Sequence, residues 1–146
     1  MHAPIVATLA VLILTASAQA DGLADCSQRV DPQRTIDGCT DVLDKDILSD
    51  RLRAMALNNR ANAFAALSQI DRALSDYNKS IAVHPELAQT HLNRGLTRMN
   101  AGELAAAVVD FDRALEIDPT LANAKVNRTL AQALGGRIGR AIPDSR

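Results

Sequence analysis

The sequence predicts an all-α chain, an α-solenoid built from stacked antiparallel helix pairs. Three observations carry this. The chain matches itself when shifted by 34 residues. Its apolar positions recur at three and four residues, the spacing that places side chains on one helix face. It is also rich in alanine, the best helix former, and aromatic residues make up 2% of it.

The repeat organises everything after residue 53. Ala54, Ala88 and Ala122 fall on one register, as do Asn59, Asn93 and Asn127 and then Arg60, Arg94 and Arg128. Ile70, Leu104 and Ile138 align, as do Ala73, Ala107 and Ala141, and Asp76, Asp110 and Asp144. Tyr77 falls on Phe111, and Pro85 on Pro119. Within the central unit Pro85 opens a first helix, which runs from Glu86 to Ala101, because its missing N–H costs nothing in the first turn. Gly102 supplies a tight turn through positive φ. The second helix, Glu103 to Ile117, carries Leu104, Ala107, Val108, Phe111, Ala114 and Leu115 on one face. Asp118-Pro119 then stops it and caps the next helix.

A 34-residue pair of helices with these residues resembles the tetratricopeptide repeat. Gly95, Ala107, Phe111, Ala114 and Pro119 stand where that pattern wants them in the central unit, and Ala61, Phe64, Ala73, Tyr77 and Pro85 in the one before. Leu57 and His91 take the early large position, Arg60 and Arg94 the usual Leu, and Arg98 the second aromatic. An Arg at such a site packs its stem and sends its head to water. The resemblance implies a right-handed superhelical stack over residues 50–142, with units of about 52–85 and 86–119 and a partial one over 120–142.

The flanks are incomplete. Arg34-Thr35-Ile36 and Cys39 echo Arg72-Ala73-Leu74 and Tyr77 at an offset of 38, so residues 21–49 read as a cap containing a degenerate second helix opened by Asp31-Pro32. Downstream, a helix from Thr120 to Leu134 is expected to turn at Gly135-Gly136 into a stub, leaving Leu130, Leu134, Ile138 and Ile142 without a covering repeat. That uncapped edge makes self-association the alternative role.

The N-terminus reads as an address. Ile5 to Ala16 is an apolar run of 12, too short to span a membrane and of signal-peptide length. It ends in Ala18-Gln19-Ala20, so cleavage is expected after Ala20, giving a signal peptide over 1–20 and a periplasmic or secreted product; an uncleaved membrane anchor is the alternative. Export lets Cys26 and Cys39, the whole cysteine inventory, form one disulfide.

Function classes narrow by exclusion. Lys plus Arg is 16 and Asp plus Glu 17, a near-neutral balance without the basic footprint of a nucleic-acid binder. No nucleophile has a base and an orienter at recognisable spacing, His84 and His91 lack a third metal ligand, and no Gly-rich phosphate loop is present. Neither an enzyme nor a cofactor or metal protein is expected. The glycosylation triplets at Asn78 and Asn127 fall inside predicted helices.

The resemblance implies a concave groove, lined by the first helix of each unit, that binds a peptide or a partner helix. By position the groove residues are Asn58, Asn59, Asn62, Gln89, Leu92, Asn93, Leu96, Asn123 and Asn127. An Asn carboxamide offers one acceptor and two donors, enough to read a peptide backbone; Asn59, Asn93 and Asn127 would otherwise join adjacent helices. Some members of the family hold a partner's C-terminal carboxylate with Lys or Arg at positions that are here Asn58, Asn123 and Asn127. Those cations are absent, so that mode is not expected. Arg60, Arg94 and Arg128 are expected to pair with Asp76, with Asp110 or with solvent.

Overall fold

The computed structural model describes residues 22–28, 30–45 and 48–141. The expected signal peptide lies outside the described residues. A short helical segment, α1, covers residues 22–27. It is followed by α2 (Pro32–Leu43), α3 (Asp50–Ala66), α4 (Ile70–Val83), α5 (Ala88–Asn100), α6 (Leu104–Ile117) and α7 (Ala122–Ala141). From α2 onward each helix packs on its sequence neighbour, and α3, α5 and α7 also touch in succession. This is the helical-repeat solenoid that the period of 34 predicts.

The helix ends have local causes. Asp31 caps α2 by accepting from the backbone N–H groups of Gln33 and Arg34, with Pro32 at the first helical position. Ser49 caps α3 through the Leu52 N–H. The turn between α3 and α4 places Ser68 at φ 59°, and the turn between α5 and α6 places Gly102 at φ 82°. These two residues are 34 apart. The left-handed conformation is therefore a property of the repeat position, which Gly fills without strain and Ser with some.

Three expectations about the ends of elements are corrected. Pro85 does not open α5: the helix begins at Ala88, and His84 and Pro85 belong to the preceding turn. Asp118 does not cap α7 either. It ends α6, and its carboxylate closes a local turn by accepting from the Thr120 N–H and hydroxyl, which hold it below the usual carboxylate range. The third correction is the largest. The chain does not turn at Gly135-Gly136, because α7 runs through both to Ala141.

The core is alanine packed around few large groups. Ile36, Ala61, Phe64, Ala73 and Tyr77 form one cluster across α2–α4. Leu92, Ala107, Phe111, Ala114, Ala124 and Ala131 form another across α5–α7. Burying a ring such as Phe111 stabilises by about 2–3 kcal/mol. The clusters meet at a polar layer: the buried Ser80 hydroxyl donates to the Ala54 carbonyl at 2.7 Å and lies 3.4 Å from the buried Thr90 hydroxyl. A Cβ on Gly95 would come 2.7 Å from Phe111 Cε1, so only glycine lets that ring sit against α5.

The arginines that replace the usual Leu lock the register. Arg60 forks onto Asp76 at 2.6 and 3.1 Å and also donates to Thr40. Arg94 forks onto Asp110 and donates to Asn78, and Arg128 donates to Asp112. Asn78 and Asp112 are 34 apart, and Thr40 precedes Asn78 by 38, the same offset at which the first unit departs from the repeat. Each arginine thus ties its helix to the helix before it. Asp76 and Asp110 are buried, so these heads reach carboxylates rather than water, and the interior pairs are not the weak exposed kind.

Candidate functional site

The inner faces of α3 and α5 enclose a groove of about 300 Å³. Asn59, Asn62, Gln89 and Asn93 form its polar wall, with Ala63 and Ala66 between them. Ser27, Gln28, Pro32 and Thr35 from the α1–α2 cap close one end. At the other end the groove continues past Asn62, Ala66 and Asn93 into a hollow of about 270 Å³ bounded by Leu96, Thr97 and Asn100. Among the described residues, none lining either part is charged.

The carboxamides are ordered by hydrogen bonds that all run one way. Gln89 donates to Asn93 Oδ1 at 2.8 Å, and Asn93 donates to Asn58 Oδ1 at 3.1 Å. Asn58 in turn reaches Asn59 Oδ1 at 3.4 Å, and Asn59 donates to the Cys26 carbonyl at 3.1 Å. The chain crosses from α5 through α3 to α1 and uses acceptors along its course. Asn62 has its Oδ1 filled by the Tyr77 hydroxyl at 2.6 Å, and its amide nitrogen faces the groove unpaired. The wall therefore offers a ligand both N–H and C=O, with Asn62 adding a free amide N–H.

Tyr77 supports this arrangement from the core. Burial pushes its hydroxyl up to about 12 from the ordinary 10.0, while the Thr97 hydroxyl beside it pulls the other way. The phenol is thus a firm donor that fixes the orientation of the Asn62 amide.

The sequence-predicted residues divide. Asn59, Asn62, Gln89 and Asn93 line the main groove, and Leu96 lines its continuation. Leu92 does not line it: the side chain is 3% exposed within the α5–α7 cluster. Asn58 sits behind the wall as a link between Asn93 and Asn59. Asn123 and Asn127 bond within α7, where Asn127 donates to the Asn123 carbonyl, and neither reaches the groove. The closing end, Ser27 and Gln28, was not expected, because α1 has no counterpart in the repeat. The signal that points to it is Cys26, one residue before Ser27.

Cys26 and Cys39 have their sulfurs at bonding distance, 2.07 Å. Both are buried with Ala56. The Gln28 amide also donates to Thr35 Oγ1, and that hydroxyl donates to the Gln28 carbonyl at 3.0 Å, so α1 is held to α2 on both sides of the groove end. His91 is buried, with Nε2 2.9 Å from the Pro85 carbonyl, and holds α5 to the preceding turn. No group of three or more metal-ligating side chains occurs among the described residues.

Comparison with known proteins decides the repeat. Residues 88–121 match the family model of the tetratricopeptide repeat. The match spans one unit of the stack, α5 to α6. No curated protein matches the sequence. Among solved structures, it is similar to the first tetratricopeptide domain of Spaghetti (RPAP3), which is bound to the HSP90 peptide SRMEEVD. That match has a TM-score of 0.69 and 26% identity, over 82% of this chain and 92% of that one. The first such domain of human RPAP3 matches with a TM-score of 0.70 and 25% identity, over 84% and 93%. The Sgt2 domain from Aspergillus fumigatus reaches a TM-score of 0.72, over 90% and 85%, and at 21% identity its likeness is one of fold.

Proposed function

We propose that this chain is a non-catalytic interaction module that holds an extended, uncharged peptide segment in the groove between the α1–α2 cap and the inner faces of α3 and α5. The observation that carries the proposal is the run of ordered carboxamides along the groove wall, with the Asn62 amide beside it. Carboxamides over an alanine floor suit both the N–H and the C=O groups of a peptide backbone and leave little room for large side chains. The similar domain of Spaghetti is bound to a peptide ending in acidic residues. Here Arg60, Arg94 and Arg128 are engaged by Asp76, Asp110 and Asp112, and no described residue of the groove wall is a cation that would meet such a terminus. The ligand is accordingly a neutral segment read through its backbone.

The same proposal places the protein outside the cytoplasm. The apolar run before Ala20 reads as a signal peptide, and a buried cystine suits an oxidising compartment. No helix among the described residues is long and apolar enough to cross a membrane.

A blocking substitution tests the groove. Ala66 is exposed and lines both parts of it, so Ala66→Trp fills the space without disturbing the core. Peptides selected on the protein from a displayed random library should lack a required acidic terminus and lose binding to Ala66→Trp. Enrichment of acidic C-termini, or equal binding to both proteins, would refute the proposal.

A further inference from the structure

We infer that the Cys26–Cys39 bond is a redox strap on the groove, so that the oxidised protein holds a peptide there and the reduced protein does not. This rests on the groove proposed above and adds the condition under which that groove is complete. It starts from how little else holds α1. A helix of this length does not persist by its own hydrogen bonds, so α1 stays in place only through what it touches. Gly22 and Cys26 are its buried residues, Ala24 and Ser27 are exposed, and Leu23 is 50% exposed. Cys26 therefore supplies the buried side chain of α1, and its sulfur is bonded to Cys39, which is buried in α2. The ion pair of Asp25 with Arg34 lies at the surface, where such pairs contribute little. The bonds of Gln28 with Thr35 and of Asn59 with the Cys26 carbonyl remain.

What the strap holds down is one end of the groove. Ser27 and Gln28 line it, and the Cys26 carbonyl is the last acceptor of the carboxamide chain. If α1 lifts, the groove loses Ser27 and Gln28, and the Asn59 amide loses its partner. The helix behind stays, because α2 is capped by Asp31 and anchored by Ile36 in the α2–α4 cluster. Opening at this bond thus removes a wall of the site and leaves the stack of α2 to α7 in place.

A dithiol reductant drives the step. Its thiolate attacks one sulfur of the cystine, and the other sulfur leaves as a thiolate. The second thiol of the reductant then resolves the mixed disulfide. The cystine takes up two electrons and two protons and becomes two thiols, and the reductant becomes a disulfide. Both cysteines are buried, so attack waits until α1 lifts. A peptide resting on Ser27 and Gln28 keeps α1 down. The coupling is reciprocal: the bond favours the peptide, and the peptide favours the bond.

Two measurements on the full chain test this, with a neutral peptide selected from the displayed library on the oxidised protein as the probe. In the first, the peptide is titrated into oxidised protein and into protein reduced with dithiothreitol. Reduction should weaken binding by about tenfold or more, the loss expected when the binding-competent form falls to about a tenth of the protein. Helical circular dichroism should be retained. Cys26→Ser with Cys39→Ser should bind as the reduced protein does, with or without dithiothreitol. In the second, thiols released from the wild-type protein by dithiothreitol are trapped by alkylation and counted by mass. Saturating peptide should slow their release by about tenfold, in keeping with the same coupling. Equal affinity of the two forms would overturn the inference, as would release at one rate with and without peptide. Loss of helicity on reduction would also overturn it, since the bond would then hold the fold and not a strap. Peptide binding that Ala66→Trp leaves intact in the oxidised protein would instead sink the groove reading, and this inference with it.

Discussion

The first unit of the stack is sealed and the last is not. At the N-terminal end α1 lies against α2 at Gly38, where an added Cβ would come 2.9 Å from the Cys26 nitrogen, and the cystine, the Asn59 bond to Cys26 and the Gln28–Thr35 pair hold it there. At the other end α7 buries Ala124 and Ala131 on one side and leaves Val126 and Leu130 in water on the other. Each repeat helix has two faces to cover. Among the described residues, a special segment covers the first unit and no helix folds back on α7. The groove lies at the sealed end, where the cap supplies one of its walls.

The sharpest way to break this comparison is through the arginine ladder. Asp110 is buried and holds both Arg94 and Arg98, so Asp110→Ala leaves the part-buried Arg94 without a carboxylate and Arg98 with Glu103 alone, and should cost about 3–5 kcal/mol in urea unfolding. Asp112 meets Arg128 near the open end, with both side chains more than a third exposed, and Asp112→Ala should cost about 0–1 kcal/mol. Equal losses would mean that the α5–α6 contact and the α6–α7 contact are not differently packed.

Next in size is the seal itself. The cystine closes a loop of 13 residues, and Cys26→Ser with Cys39→Ser should destabilise the protein by about 3 kcal/mol. Hydrogen exchange should then rise first in residues 22–28 and hardly at all in α7.

Alkaline pH gives a smaller effect at the groove floor. Tyr77 stays neutral in the fold to about 12 and ionises near 10.0 when unfolded. Its contribution is therefore complete below pH 10 and falls away as pH rises to 12, by roughly 3 kcal/mol at most. It is the single tyrosine, so tyrosinate absorbance reports on it alone. Absorbance that rises near pH 10 without unfolding would contradict its burial.

The smallest effects come from the turn position. Gly102→Ala, at φ 82°, should cost about 1 kcal/mol, whereas Gly136→Ala, inside a helix, should stabilise by about 1 kcal/mol. Opposite signs at equivalent positions would show in thermal melts, and a loss at both would place a turn at Gly136.

Much of this was legible from the chain. The period fixed the helices from α3 onward, and Asp31-Pro32 and the offset of 38 placed α2. The groove wall at Asn59, Asn62, Gln89 and Asn93 followed from repeat position. What escaped had physical causes. Leu92 and Leu96 look alike in sequence, yet one points under α6 and the other into the groove, a difference of one helical step in angle. Gly135-Gly136 carries a turn signal, but a turn needs a helix to pack against the one before it, and no period of the sequence shows whether that packing forms. The pairing of Arg60 with Asp76 and of Arg94 with Asp110 was legible, but not that the pairs are interior, because the burial of both carboxylates comes from packing between helices.

The most direct test of the central claim, a carboxamide groove that reads a neutral backbone, is to follow the side-chain amide resonances of Asn59, Asn62 and Asn93 by NMR during titration. One titrant is SRMEEVD, and the other a neutral peptide from the library selection. The account predicts that the neutral peptide moves Asn62 and Asn93 and that SRMEEVD moves none of them. Shifts of Asn62 and Asn93 with SRMEEVD at comparable affinity would contradict it.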